Sequence, residues 1–151
     1  MTDRATYLSM HLRLAEVACI NRLGHLWDGF APGEVVAPYP SDYIETRGVP
    51  LAATFEDLRA ELGGNPIRIV SAYRTPAYNA QVGGAQASQH VQGRALDIRH
   101  ATLAPHQLHA AILELLAAGK LPLLGGLGHY ATFVHMDVRP RVNGHVARWN
   151  G

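Results

Sequence analysis

Two short segments do most to limit what this chain can become, because each alternates apolar and polar side chains with the period of a strand. In residues 94–99, Leu96 and Ile98 point one way while Ala95, Asp97 and Arg99 point the other. In residues 133–138, Val134, Met136 and Val138 form one face, and Phe133, His135 and Asp137 the reverse. Each strand therefore offers an apolar face to a core and sets polar groups on the opposite side.

The rest of the chain supplies helices and loops around that pair. Leu8, Leu12, Ala15 and Cys19 recur at spacings of four, three and four, which predicts an amphipathic helix. Residues 29–50 carry Pro32, Pro38, Pro40 and Pro50, which remove backbone donors and predict a long surface loop able to wall a groove. A helix is expected to start at Thr54, whose hydroxyl can cap with Asp57 three residues on. Its face is Phe55, Leu58 and Leu62, and Gly63 and Gly64 stop it. Residues 67–70 read as a strand. Residues 105–118 read as a helix with Leu108, Ile112 and Leu115 inward and Gly119 as terminator. Helices and short strands without regular βαβ alternation predict an α+β fold, with residues 1–151 as one domain.

Composition excludes more than it selects. Thirteen basic and twelve acidic residues leave a net charge of +1, so there is no electrostatic case for nucleic acid or an acidic membrane. No segment approaches the ~20 apolar residues that span a bilayer. Residues 1–14 lack the basic start, apolar run and small-residue site of an export signal. That fits a phage-encoded or cytoplasmic chain, or an exported one whose signal is not in this sequence. Cys19 is alone, so no intrachain disulfide can form, and its helical surroundings read as those of a buried, inert thiol. A monomer is expected.

Three residues carry the chemistry. His90 and Asp97 are separated by six residues, with Gly93 between them to permit a turn, so the pair can meet across adjacent strand ends. His135 completes a set of imidazole, carboxylate and imidazole. Zinc accepts these ligands, and three of them leave a fourth position for water, which is the arrangement of a catalytic site. Such a metal acidifies water and polarises a carbonyl, as peptide hydrolysis requires.

Five motifs in order then carry a resemblance. Ser71-Ala-Tyr-Arg-Thr-Pro-Ala-Tyr-Asn79, Val82-Gly-Gly-Ala85, Ser88-Gln-His90, Gly93-Arg-Ala-Leu-Asp97 and Phe133-Val-His-Met-Asp137 resemble the M15 zinc peptidases, nearest the D-Ala-D-Ala carboxypeptidase-like branch. The resemblance covers roughly residues 54–149. It implies an antiparallel sheet flanked by helices with one zinc ion in a groove, a fold shared with the hedgehog signalling domain. It also implies His90, Asp97 and His135 as metal ligands, and peptidoglycan stem peptides as substrate, cut by a carboxypeptidase or an endopeptidase. Arg74 matches an arginine that faces substrate and binds a carboxylate or the oxyanion. Ser71, Tyr73 and Asn79 would brace the turn before the metal loop, with Gly83 and Gly84 serving its backbone.

The chain departs from that family at the general base. Thr132 and Phe133 stand where many members place an acid or a histidine, and neither takes a proton near neutral pH. His129, after the glycine-rich residues 125–128, has the better intrinsic pKa for the role. Asp137 is the second candidate, or else the partner that orients a ligand imidazole. The missing base keeps a second reading open, a zinc-bearing module that binds murein without cutting it.

Overall fold

The computed structural model describes residues 7–10, 12–13, 44–74 and 76–151. Strands β1 (Tyr7–Ser9) and β2 (Leu12–Arg13) form a small antiparallel pair. A helix was the expectation there. Leu8 and Leu12 lie on the two strands either side of a turn, so their spacing of four spans a chain reversal and not one helical face. Ala15 and Cys19 lie outside the described residues, as do residues 29–43 of the expected loop.

The end of that loop is helical. A π-helical turn (Ile44–Gly48) leads into α1 (Val49–Glu61), which begins five residues before Thr54. Pro50 sits in the first turn, where its missing N–H would have had no partner, so it starts this helix and does not break it. Thr54 therefore lies inside the helix, and its hydroxyl donates back to the Pro50 carbonyl at 3.0 Å. Leu51, Phe55 and Leu58 are buried along one face.

The main sheet has five strands. They are β3 (Ile67–Ser71), β4 (Ala95–His100), β5 (Gly126–His129), β6 (Val134–Asp137) and β7 (Ala147–Asn150), in the order β3-β4-β6-β5-β7. Three neighbouring pairs are antiparallel, but β7 runs parallel to β5, so the sheet is mixed where an antiparallel one was expected. Connectivity explains the exception. β4 and β5 occupy both edges of β6, so the chain leaving β6 joins the sheet at an outer edge, that of β5. After one reversal it then runs in the direction of β5. The reversal includes a bridge between Val142 and His145 across Asn143 and Gly144, whose φ angles of 53° and 74° suit a tight primed turn.

Two more helices complete the described structure, α2 (Pro76–Gln81) and α3 (Pro105–Ala117). Leu96, Ile98, Leu127, Val134 and Met136 of the sheet join Leu108 and Ile112 of α3 and the buried residues of α1 in one core. Complete burial of each large aliphatic side chain contributes about 1.5–3 kcal/mol, which pins the strand phase. Ala95, Asp97, His135 and Asp137 are buried too, so the reverse face of β4 and β6 is covered as well. Among the described residues no helix is long and apolar enough to cross a membrane.

His100, at the end of β4, links this packing to pH. Its buried Nδ1 accepts the backbone N–H groups of Thr102 and Leu103, both at 3.2 Å. Burial lowers its pKa, and a proton on Nδ1 would also meet those two donors. The unfolded chain takes up that proton first, so stability is lost as pH falls below the ordinary histidine value. Asparagine can accept the same backbone bonds without titrating. We expect the melting temperature of wild type to fall more steeply between about pH 7 and 5 than that of His100→Asn. Equal slopes in thermal melts would show that His100 does not contribute.

Candidate metal centre

The register of the sheet assembles the site. Ser71 pairs with Asp97, Asp97 with His135, His135 with Gly128, and Gly128 with Trp149, so these residues form one row across five strands. His90 reaches the same place from the loop before β4, which turns at Gly93 with φ 70°. That loop is tied down by bonds from Arg74 N to His90 O (3.0 Å) and from His90 N to Ser88 Oγ (3.2 Å).

Each imidazole is oriented from behind. The Ala72 carbonyl can only accept, so the 2.6 Å contact with His90 Nδ1 places a proton there and turns Nε2 toward Asp97. Asp137 takes His135 Nε2–H at 2.8 Å, which turns Nδ1 of that ring toward the same carboxylate. The remaining nitrogen of each ring then faces one oxygen, Asp97 Oδ1, at 3.1 Å and 3.0 Å, where a proton or a metal ion can bridge the pair, and the rings lie edge to face with centroids 5.0 Å apart. One ligand atom from each of His90, Asp97 and His135 lies within 4.8 Å of the others, and all three residues are buried. This donor set of nitrogen, oxygen and nitrogen fits a zinc-like divalent cation, and the Ala72 carbonyl and Asp137 are the outer partners such ligands need.

Electrostatics keep the carboxylates of the cluster ready for a cation, which must displace a proton from His135. Burial alone would raise the Asp97 carboxyl, but hydrogen bonds from His135 and His90 outweigh it and hold the pKa at about 2. Burial disfavours a charged His135, yet bonds to Asp137 and Asp97 prevail and raise its pKa. Burial would likewise raise Asp137, but bonds from His135 and Arg139 hold it at about 2. The cluster thus keeps its carboxylates ionised, as metal ligands and their partners must be.

A sequence model of the family described as Peptidase M15 matches residues 31–137. The chain belongs to the M15 peptidases. Among the curated proteins compared, none matches it.

In this M15 peptidase Arg74 borders the cluster. Its Nη2 lies 3.6 Å from Asp97 Oδ2, while Nε donates to Ser71 Oγ (3.3 Å) and Nη1 to Asn79 Oδ1 (3.4 Å). Ser71 and Asn79 therefore brace the arginine itself. Asp137 lies behind His135, completely buried, and is gripped by Arg139 through Nε (2.8 Å), Nη2 (2.6 Å) and the backbone N–H (3.1 Å).

His129 is not brought to this cluster. It pairs with Val134, one residue away from the row of His135, so it belongs to the opposite face of the sheet. There it stacks on His109 of α3 with ring centroids 4.6 Å apart. The glycines before it have a different use from the one expected. A Cβ on Gly126 would collide with the Asp137 carboxylate, and one on Gly128 would lie 2.6 Å from Trp149 Nε1. They make room for groups serving His135 and do not carry His129 over the metal position. Arg139 and Trp149 escaped the sequence reading. Their signal was only that small residues at positions 126 and 128 must face something large.

Proposed function

We propose that this M15 peptidase is a zinc-dependent hydrolase of D-amino-acid-containing peptide bonds in bacterial peptidoglycan, acting on stem peptides as a carboxypeptidase or an endopeptidase. Its motifs resemble those of the D-Ala-D-Ala carboxypeptidase-like branch of M15 enzymes. The single observation that carries this reading is the convergence of His90 Nε2, His135 Nδ1 and Asp97 Oδ1 beside the guanidinium of Arg74. His90, Asp97 and His135 would hold the ion. Zinc, when bound, supplies a Lewis acid that acidifies water and polarises the scissile carbonyl.

The chain's own residues then divide the remaining work. Arg74 presents its planar fork at the edge of the cluster, where it binds a substrate carboxylate or the developing oxyanion. Ser71 and Asn79 limit the fork's rotation, so the arm nearest Asp97 stays aimed at the site. Asp137 is a positioning residue, because its oxygens are committed to His135 and Arg139 and it has no exposure to solvent.

A second reading, a zinc-bearing module that binds murein without cutting it, is favoured by one observation. His129 lies on the far face of the sheet and Asp137 is sequestered, so neither is free to act as general base. Mass spectrometry of purified muropeptides incubated with zinc-loaded protein separates the two. Peptide products carrying one added water, absent after chelation, support the peptidase. Retention of intact stem peptides without cleavage supports the module, and if neither is observed both readings fall.

A further inference from the structure

We infer that Trp149 is a positioning residue for the metal ligand His135, part of a closed ring of side chains that fixes the imidazole's rotation. This rests on the zinc reading above, but concerns residues beyond the span that the family model matches, which ends at Asp137.

The ring can be followed contact by contact. His135 Nε2 meets Asp137 at 2.8 Å, and Arg139 clasps Asp137 with two side-chain bonds. The guanidinium carbon of Arg139 sits 5.0 Å from the centre of the Trp149 ring, within cation–π range. Trp149 returns to His135 with ring centroids 5.0 Å apart at 54°. Each member thus touches two others, and the imidazole cannot turn without disturbing a buried carboxylate or an indole.

Sequence and topology explain how the indole arrives there. Trp149 is two strands from His135, too far for most cross-strand pairs. Gly128 lies between them in the row and has no side chain, so the indole spreads over its backbone. The Trp149 Nε1–H donates to Tyr130 Oη at 2.9 Å, and Tyr130 stacks on Phe133 with centroids 4.5 Å apart, which fixes the plane of the indole. The parallel strand β7 is therefore what completes the outer support of the last ligand.

Zinc affinity, measured by competition with a chromophoric chelator, and indole fluorescence test this together. Trp149→Ala should weaken zinc binding by about 10–100-fold, the usual effect of losing an outer partner. Trp149→Phe keeps a ring over Gly128 and should restore most of that affinity, whereas Trp149→Leu, which fills space without an aromatic face for Arg139 and His135, should not. Zinc should also change the indole fluorescence of wild type, and the change should vanish in Trp149→Phe although Trp27 remains. Wild-type zinc affinity in Trp149→Ala overturns the inference. So does a fluorescence change as large in Trp149→Phe as in wild type, which decides the matter even if the alanine variant fails to fold. Should wild type itself take up no zinc, the zinc reading falls and this inference with it, an outcome distinct from a zinc-loaded but indifferent variant.

Discussion

Asp97→Asn is expected to bind zinc too weakly to retain it through purification, and to lose zinc-dependent hydrolysis with it. Asp97 is the one carboxylate that both free imidazole nitrogens face, at 3.1 Å and 3.0 Å. Asparagine keeps the shape and one acceptor oxygen but removes the negative charge that a buried divalent ion requires. The loss should exceed the roughly 10–100-fold that follows removal of an outer partner, because Asp97 would touch the ion itself. The metal-free protein offers a control. Its Asp97 pKa of about 2 lies below the ordinary value of 3.8, so the carboxylate stabilises the fold above pH 3.8. That contribution disappears as pH falls through about 2, and Asp97→Asn should show a flatter acid limb in denaturation. Elemental analysis and melting curves read the two effects separately. Full zinc content in the variant would remove Asp97 from the ligand set.

Arg74→Ala should reduce kcat/KM on muropeptides by about 10²–10³-fold, equivalent to the about 2–4 kcal/mol that a lost oxyanion or carboxylate contact costs. Its zinc content should be unchanged, since removing a cation 3.6 Å from Asp97 does not weaken the attraction of that carboxylate for another cation. Arg74→Lys should recover little. A lysine cannot span Ser71, Asn79 and the cluster edge with one ammonium as the guanidinium does with three nitrogens. Steady-state kinetics on a variant of verified zinc content provides the check. Wild-type turnover in Arg74→Ala would make the residue part of the scaffold.

The parts legible in the sequence are those set by local periodicity. Leu96 with Ile98 and Val134 with Met136 mark one face of β4 and β6, so Asp97 and His135 follow on the other by alternation alone. His90 follows from its motif. What was not legible depends on register and on non-local pairing. His129 is a base candidate in the sequence for its intrinsic pKa and its place after residues 125–128, but a one-residue offset between strands moves a side chain to the other face. Gly128, not His129, is the residue opposite His135. The parallel pairing of β7 is equally invisible locally, since it follows from which sheet edge the chain joins, and Trp149 went unnoticed for that reason. The start of α1 was misread because Pro50 looks like a breaker until its place in the first turn is known.

The central claim is that His90, Asp97 and His135 hold one hydrolytic zinc ion, and X-ray absorption at the zinc edge of metal-reconstituted protein tests it most directly. The expected result is one zinc per chain, bound by two imidazole nitrogens and a carboxylate oxygen at about 2.0–2.2 Å, with a further light ligand that exchanges when an inhibitor is added. A spectrum dominated by sulfur, or protein that takes up no zinc while folded, would contradict it.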